Sequence, residues 1–470
     1  MENTIVLYPS PGISHLVPMV ELGKLILTHN PSFSITILIT PLPLDTGSAA
    51  TYISRVSTTT PSIHFHHLPA IFPLSTTFSA NTADLAFELP RLNNPNLRHA
   101  LQTLISEKSR PKASILDFFC NPSFEVFTSL DIPTYYFSPS SAGSLSAILS
   151  LPTIHQLMIE KIKDPNTSIE FPGVPPIPIP DLPGPFCDHE GIAYKSFFST
   201  AINMPKSSGL VTNTCREFEP RAVRAISDGL CTPNLPTPSV YCIGPIIANN
   251  GEDHEHECLR WLDSQPSQSV VFLCFGSMGS FKAEQLMEMA IGLEKSGHRF
   301  LWVVRSPPAA GETNNILAKP EPDLEVLLPH GFLDRTRGRG LVVTNWAPQV
   351  AVLSHDSVGG FVTHCGWNSI LEAVSAGVPM VGWPLYAEQR FNRIFLVEEM
   401  KVALALEESQ GRFVTANELE KRVRELMDST SGIGVRERVR EMRDCAKAAL
   451  CEGGSSRLAL AELVELWKKD

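Results

Sequence analysis

The polar residues with the clearest chemical potential lie in the last third of the chain. A strand-like GFVT run leads there into a helix-like NSILEAVSAG run. Such a junction presents free backbone N–H groups and the positive end of a helix dipole, which suit a phosphate. His364 and Ser369 would add donors at this junction, and Glu372 could accept both hydroxyls of a ribose. Trp346 offers a flat face to a base. Each residue alone fits core packing, but together they favour nucleotide binding.

Motifs of other nucleotide-dependent classes are absent. No G-x-G-x-x-G follows the first predicted strand, no G-K-[ST] completes the loop at residues 276–280, and no G-x-S-x-G occurs. Dinucleotide oxidoreduction, P-loop hydrolysis and esterase chemistry are therefore disfavoured. The sequence also has no D-x-D pair to chelate a metal-bound diphosphate.

Composition narrows the function class further. The chain has 470 residues, is 43% hydrophobic and carries a net charge of −11, which excludes a disordered chain and gives no basic footprint for nucleic acid. Its ten cysteines include no C-x-x-C pair, and we interpret them as reduced thiols of a cytoplasmic protein. The N-terminus does not resemble a signal peptide, and the sequence predicts no membrane span.

Two successive series of strand-like and helix-like segments must position these residues. They predict an α/β fold of two doubly wound domains with parallel sheets. The predicted strands are residues 5–8, 34–40, 113–118, 134–137 and 210–212, then 269–275, 300–304, 341–344, 360–363 and 380–382. The predicted helices include residues 16–27, 283–296, 416–427, 434–449 and 455–468.

Two irregular segments interrupt this pattern. Residues 247–257 are polar and mark the domain boundary, and we interpret the acidic and histidine-rich run 253–257 within them as a solvated linker, not a metal site. The proline-rich residues 172–185 are predicted to form an irregular surface loop near a ligand entrance.

Residues 346–389 resemble, nearly position by position, the donor-binding signature of plant family-1 UDP-sugar glycosyltransferases. The resemblance implies the GT-B fold, in which two Rossmann-like domains face each other across the acceptor cleft and the C-terminal domain binds the UDP-sugar. We expect an acceptor-binding domain at 1–246, a linker at 247–258, a donor-binding domain at 259–452 and a final helix at 453–470 that packs back on the first domain. The resemblance also implies inverting transfer without a metal or other cofactor, with UDP-glucose as donor co-substrate.

The same resemblance assigns donor contacts to individual residues. Uracil and ribose would be held by Trp346, Ala347, Gln349 and Glu372, the diphosphate by Ser277, His364, Asn368 and Ser369, and the sugar by Trp367, Glu388 and Gln389. Ser14 and Ser138 are expected beside the donor sugar. Because relatives often have His at the Gln389 position for galactose and some have Arg at the Trp367 position for glucuronate, this chain is expected to use UDP-glucose.

A catalytic pair is expected in the first domain. His15 follows the first strand and Asp117 ends the third predicted one, so both belong at the carboxyl edge of the sheet, where open α/β folds bind ligands. A histidine there can remove a proton from an acceptor hydroxyl, while the carboxylate fixes its tautomer and stabilises the imidazolium.

The acceptor is expected to be a flavonoid-like phenol, because the N-terminal run resembles family members that glycosylate flavonoids, isoflavones and chalcones. Phe119, Phe186 and Tyr386 would stack on its rings, and Ile13 would add bulk at the acceptor mouth. Relatives commonly have Gly immediately before the catalytic His, where this chain has Ser14. Strand alternation from Asp117 predicts that Phe118 faces the opposite side of the sheet.

Three alternatives stay open at this stage. The enzyme could form a C-glycoside on an electron-rich ring, could use another UDP-sugar, or could be a UDP-sugar-binding protein without turnover. We expect small-molecule partners only, with no nucleic acid, no membrane insertion and a monomeric chain.

Overall fold

A computed structural model of the chain describes residues 3–42, 48–71, 82–107, 109–248, 256–307 and 321–469. It divides into two compact units, one of Met1–Ala248 with Ala448–Asp470 and one of Asn249–Lys447. They are called the N-terminal unit and the C-terminal unit below. The predicted linker lies largely outside the described residues, as do 253–255 of the acidic and histidine-rich run.

The N-terminal unit is built on a parallel sheet in the order β3-β2-β1-β4-β5-β8-β9. A small antiparallel pair, β6 and β7, lies apart from it. The strands are β1 (Asn3–Tyr8), β2 (Phe33–Ile39), β3 (Ile63–His67), β4 (Ala113–Asp117), β5 (Thr134–Ser138), β6 (Ser168–Ile169), β7 (Ile177–Pro178), β8 (Gly209–Thr212) and β9 (Val240–Cys242). The helices before residue 248 are α1 (Ile13–His29), α2 (Ser48–Thr59), α3 (Thr82–Glu107), α4 (Phe124–Thr128), α5 (Ala142–Lys161), α6 (Gly184–Cys187), α7 (Ile192–Asn203) and α8 (Pro220–Ser227).

The C-terminal unit repeats the plan with a parallel sheet in the order β12-β11-β10-β13-β14-β15. Its strands are β10 (Val270–Cys274), β11 (Arg299–Val304), β12 (Gly340–Thr344), β13 (Val358–Thr363), β14 (Met380–Gly382) and β15 (Ala403–Ala405). The helices from residue 256 onward are α9 (Glu257–Asp263), α10 (Ala283–Ser296), α11 (Leu324–Leu327), α12 (Phe332–Arg335), α13 (Gln349–Leu353), α14 (Trp367–Ala376), α15 (Gln389–Ile394), α16 (Ala416–Asp428), α17 (Thr430–Leu450) and α18 (Ser455–Lys469). The last helix belongs to the N-terminal unit.

Each sheet has one point at which the strand order reverses. In the first sheet β1 and β4 are neighbours, and the chain builds outward from them in opposite directions. In the second sheet the corresponding neighbours are β10 and β13. The connections after two such strands diverge, which leaves a crevice at their carboxyl ends. The predicted class of two doubly wound parallel-sheet domains is confirmed.

The prediction of an irregular surface loop at residues 172–185 is wrong. Ile177 pairs with Ile169 in the β6–β7 ladder, the N–H of Ile179 donates to the Thr167 carbonyl at 3.0 Å, and 3₁₀ and α turns follow. Ile177, Ile179 and Leu182 are buried. Prolines cannot donate to a ladder, but here the apolar residues between them supply the hydrogen bonds and the burial.

Within the described residues, α5 is the one helix long and apolar enough to cross a membrane by length and composition. Its first half is almost completely buried, and the helix packs against α7 and α8. This burial is typical of a core helix.

The last helix completes the core of the N-terminal unit. Leu463, Val464 and Trp467 of α18 belong to the same buried cluster as the strands of the first sheet. The Trp467 ring lies 6.3 Å from the ring of Phe33 and 5.7 Å from that of Tyr135, as measured between centroids.

Trp467→Ala should therefore lower the free energy of unfolding of the N-terminal unit by about 3–5 kcal/mol, because it leaves a large cavity in a closed core. Leu458→Ala on the same helix is the matched control, since Leu458 is exposed. Denaturant titration of both variants and the parent chain measures the difference. Equal midpoints for the two variants would contradict the assignment of α18 to this core.

Candidate active site

In the N-terminal unit, the turn after β1 places His15. Gly12 has a φ of 114°, a backbone conformation that favours glycine, and its carbonyl accepts hydrogen bonds from the N–H groups of His15 and Leu16. The helix α1 therefore begins at Ile13 and carries His15 in its first turn. Ile13 packs partly against the core of this unit, whereas Ser14 is exposed.

The structure brings His15 and Asp117 together at the reversal point of the first sheet. The distance from His15 Nδ1 to Asp117 Oδ2 is 2.7 Å, and Asp117 is fully buried while His15 is partly exposed. The other carboxylate oxygen accepts the backbone N–H of Phe119 at 3.0 Å. Because a carboxylate can only accept, Nδ1 of His15 is the protonated nitrogen, and Asp117 fixes both the tautomer and the ring orientation.

The prediction that Phe118 faces the opposite side of the sheet is wrong. β4 ends at Asp117, and a 3₁₀ helix, Phe118–Ser123, begins at once, so strand alternation no longer applies. The ring centroid of His15 lies 6.2 Å from that of Phe118 and 5.4 Å from that of Phe119, both in edge-on arrangements.

An aromatic cluster centred on Phe197 adjoins this pair. Phe119 and Phe186 both belong to it, with centroids 5.7 and 5.5 Å from that of Phe197, and Phe87 lies 4.9 Å from Phe119. The sequence analysis missed Phe87 and Phe197, which lie on helices far apart in the chain. Phe119 keeps partial exposure, while Phe87, Phe186 and Phe197 are buried. Phe119 is therefore the member of the cluster that can present a ring face beside His15.

Ser138, expected beside the donor sugar, is the last residue of β5. Its hydroxyl is buried and finds no hydrogen-bond partner in the ranges that the structure describes. A buried hydroxyl without a partner is uncommon in a folded protein and marks a place where a polar ligand group would be accommodated.

In the C-terminal unit, His364 lies at the end of β13, between two glycine-containing turns. A Cβ atom added to Gly276 or to Gly366 would lie 2.5 Å from His364 Nε2, and Gly276 also has a φ of 73°. Burial, reinforced by the nearby charge of Arg305, lowers the pKa of His364 to about 4. The imidazole is thus neutral at pH 7, and its buried Nδ1 has no hydrogen-bond partner among the residues described.

The residues that follow open α14. Gly366 precedes the helix, Trp367 begins it and is buried, and no side chain caps this end. Asn368 and Ser369 lie in the first turn, and the exposed Ser277 belongs to the loop after β10. The start of α14 follows β13 and this loop follows β10, and these are the two strands at which the second sheet reverses its order.

A hydrogen-bonded set links the two parts of the predicted nucleoside site. Gln349 Nε2 donates to Ser369 Oγ at 2.8 Å and to Glu372 Oε2 at 2.6 Å. Desolvation raises the pKa of Glu372 to about 7, although the Gln349 hydrogen bond opposes it. Ala347 is buried, whereas Trp346 is 49% exposed and can be covered by a ligand.

The loop after β14 is held by Gln389. Its Oε1 accepts the backbone N–H groups of Leu385 and Tyr386 at 2.9 and 3.0 Å. The Tyr386 ring lies 6.3 Å from that of His364, and burial raises the pKa of its phenol to about 12. Glu388 Oε1 accepts a long hydrogen bond from Asn392 at 3.4 Å. Tyr386 belongs to the C-terminal unit.

Arg305 was missed by the sequence analysis. It follows β11 directly, and its Nε donates to the carbonyl of Asn345 at 2.9 Å. The available signal was a basic residue that directly follows the apolar run at residues 300–304. The described residues contain no group of three or more His, Cys, Asp or Glu side chains that could hold a metal ion. None of the ten cysteines is in a disulfide.

Comparison with known proteins decides the family. UDP-glycosyltransferase 88B1 of Stevia rebaudiana is 55% identical over 470 residues, which cover 99% of each chain. The chain belongs to the plant UDP-glycosyltransferases. The anthocyanidin 5,3-O-glucosyltransferase of a Rosa hybrid cultivar is 53% identical to this chain over 479 residues, which again cover 99% of each chain. A family model described as UDP-glucoronosyl and UDP-glucosyl transferase matches residues 227–432.

Solved structures give the same result for the fold. A UDP-glucosyltransferase from Polygonum tinctorium, capable of glucosylating indoxyl and solved with 3,4-dichloroaniline, superposes with a TM-score of 0.90 at 33% identity, covering 100% of this chain and 99% of that one. Phytolacca americana UGT2, solved with UDP-2-fluoro-glucose and pterostilbene, gives a TM-score of 0.87 at 36% identity over 99% and 100% of the two chains. The predicted GT-B fold and the predicted UDP-glycosyltransferase activity are confirmed.

The raised pKa of Glu372 predicts a pH-dependent stability of the ligand-free enzyme. Because the folded-state pKa is about 7 against an ordinary value of 4.5, this group stabilises the fold at low pH, and its contribution is lost as the pH rises toward 7. Glu372→Gln should therefore melt at nearly the parent temperature at pH 5 and several degrees above it at pH 8. Glu284→Gln, at an exposed helical position, is the control. A difference in melting temperature between the Glu372 variant and the parent that stays the same from pH 5 to pH 8 would contradict the prediction.

Proposed function

We propose that this UDP-glycosyltransferase transfers glucose from UDP-glucose to a hydroxyl of a flavonoid-like phenol, with inversion at the anomeric carbon and without a metal ion. The observation that carries the proposal is the 2.7 Å hydrogen bond between His15 and Asp117 beside the partly exposed ring of Phe119. It combines a positioned base with an aromatic surface in the N-terminal unit. We further expect a cytoplasmic, monomeric enzyme.

His15 is the general base in this proposal. Its Nδ1–H is held by Asp117, so Nε2 takes the proton of the acceptor hydroxyl. The acceptor oxygen forms the new bond to C1 of glucose, and the bond from C1 to the diphosphate oxygen breaks. UDP leaves with the bonding electron pair, and Asp117 stabilises the imidazolium that forms. Base assistance of this kind contributes about 10²–10⁴ to the rate.

Donor binding is assigned to the C-terminal unit. We propose that Trp346 stacks on uracil next to Ala347 and Gln349, and that Glu372 accepts the ribose hydroxyls. The raised pKa of Glu372 supports this role, since a desolvated carboxyl is the one that gains most from two hydroxyl donors.

The diphosphate is assigned to the uncapped start of α14 and the glycine turns around His364. A neutral imidazole can donate one N–H to an anion, and the helix end adds its dipole. We propose that Ser277, His364, Asn368 and Ser369 contact the diphosphate, and that Trp367, Glu388 and Gln389, with Ser14 and Ser138, contact the sugar.

The assignment of a flavonoid-like acceptor is supported by the aromatic cluster and by the acceptors named for relatives. The Rosa relative is named for anthocyanidin, and the Phytolacca enzyme was solved with pterostilbene. Phe119 offers the accessible ring of the cluster, and Phe186 supports it from behind through Phe197. Ile13 and Tyr386 are proposed as further contacts that shape the acceptor pocket.

Product analysis tests the activity. Purified enzyme incubated with UDP-glucose and a flavonoid panel in EDTA should give a product heavier by one hexosyl unit, and acid lability of that product should identify an O-glycoside. An acid-stable product would replace O-transfer with C-transfer. Binding of UDP without any product, across a panel of donors and phenols, would contradict the proposed function.

His15→Ala should lower kcat by about 10²–10⁴ while UDP affinity, measured by calorimetry, stays within about twofold. Asp117→Asn should lower kcat by a comparable factor, because the amide no longer stabilises the imidazolium but still caps the 3₁₀ helix. His99→Ala, at an exposed position on α3, is the control. Turnover of the His15 variant above about a tenth of the parent rate would remove His15 from the role of base.

Gln389→Glu separates loop support from sugar recognition. The carboxylate keeps an acceptor for the N–H groups of Leu385 and Tyr386 but cannot donate to a sugar hydroxyl. The ratio of kcat/KM for UDP-glucose to that for UDP-galactose should fall roughly 3- to 10-fold, as expected for one lost hydrogen bond. An unchanged ratio in both this variant and Gln389→His would show that Gln389 supports the loop without reading the sugar.

A further inference from the structure

Arg305 occupies a position at the carboxyl edge of the second sheet. It directly follows β11, which lies between β10 and β12. The Gly276 turn follows β10, and Asn345 and Trp346 follow β12. Arg305 is thus flanked by the two loops to which the diphosphate and uracil contacts are assigned.

Two nitrogens of the Arg305 guanidinium differ in their hydrogen bonding. Nε donates to the Asn345 carbonyl at 2.9 Å, and Asn345 itself is held in a left-handed conformation with a φ of 63°. Nη1 is buried and has no hydrogen-bond partner within the described part of the chain. Burial lowers the pKa of the guanidinium, which nevertheless stays charged at pH 7.

No carboxylate compensates this charge among the residues that the structure describes. The acidic groups that act on Arg305 are the Cys274 thiol and the Tyr386 phenol. Burial raises the pKa of both groups, so both are neutral at pH 7. A half-buried guanidinium with a buried, unused donor and no counter-charge is costly, since buried charges are normally paired.

The surroundings of Arg305 are those of the assigned diphosphate site. Its charge helps to depress the pKa of His364, which places the two side chains within electrostatic reach of each other. A cavity of about 10 Å³, close to the space that one water molecule needs, is lined by Arg305, Gly276, Gly279 and Ser280 and otherwise mainly by apolar side chains.

We propose that Arg305 binds the diphosphate of the UDP-sugar through Nη1, directly or through one water molecule in this cavity. The proposal rests on the donor site proposed above. The other residues assigned to the diphosphate are neutral, because Ser277, Asn368 and Ser369 carry no charge and His364 is deprotonated at pH 7. Arg305 then supplies the positive charge that meets the negative charge growing on the UDP leaving group as the glycosidic bond breaks.

Paired ligands test this role. UDP and uridine share the base and ribose, but uridine lacks the diphosphate. In Arg305→Met the dissociation constant for UDP should rise by roughly 10- to 100-fold, the effect of losing a charged hydrogen bond, while that for uridine changes by about twofold or less. Arg305→Lys should lie between the parent and Arg305→Met for UDP, because it keeps the charge without the anchored fork. In both variants the factor by which kcat falls should be larger than the factor by which the KM for the acceptor rises.

Arg299→Met is the matched control. Arg299 begins the same strand at the opposite sheet edge, where its Nε donates to Gln265 at 3.1 Å, and its loss should leave the UDP-to-uridine affinity ratio unchanged. If the Arg305 variants bound UDP and uridine more weakly by the same factor, Arg305 would only support the Asn345 turn and would not bind the diphosphate. Unchanged affinity for both ligands would overturn the proposal. If the parent enzyme bound neither ligand, the donor site itself would be refuted. Should Arg305→Met fail to fold, Arg305→Lys and Arg305→Gln carry the same comparison.

Discussion

The reversal of strand order in each sheet is the constraint on which the rest of the molecule depends. Where β1 meets β4 and where β10 meets β13, the following connections must diverge, since each leads to a helix on a different side of the sheet. His15 follows β1 and Asp117 ends β4, while the Gly276 turn follows β10 and His364 follows β13. Residues about a hundred positions apart meet because topology brings these strand ends side by side, as the His15–Asp117 hydrogen bond demonstrates.

These crevices carry a local cost in backbone conformation. In the C-terminal unit, the loops after β12, β13 and β14 each contain a non-glycine residue with positive φ, namely Asn345, Cys365 and Ala387. Residues other than glycine hold such conformations only where the surrounding structure requires them. Here the requirement is that short turns direct side chains into the crevice. Asn392 Nδ2 holds the Cys365 carbonyl at 3.0 Å, and Gln389 holds the residues immediately before Ala387.

Most helices and strands could be predicted from local sequence patterns, whereas the features that the patterns missed depend on long-range packing. The predicted helix 283–296 and strand 380–382 match α10 and β14 end to end: α10 has a helical apolar period that stops at Gly297, and β14 is a short apolar run that ends at Gly382. Phe118 was misplaced because its strand ends one residue earlier, which periodicity does not register. Residues 172–185 look irregular by their prolines, yet their burial depends on contacts with other parts of the unit. Phe87 and Phe197 join one cluster from separate helices, and the orphaned Nη1 of Arg305 is visible only once its neighbours are placed.

At the assigned donor site, the pKa shifts of three buried or partly buried groups follow one direction. Burial shifts His364, Glu372 and Arg305 each toward its neutral form, since desolvation always penalises charge. Among the residues that the structure describes, no protein group fully offsets this penalty, because Glu372 accepts only from the amide of Gln349, while buried nitrogens of His364 and Arg305 lack hydrogen-bond partners. A ligand that brings vicinal hydroxyls to the carboxyl and a diphosphate to the two nitrogens would relieve all three penalties at once. The unsatisfied groups thus describe the complement of a nucleoside diphosphate, which is the physical reason for assigning donor binding to this unit.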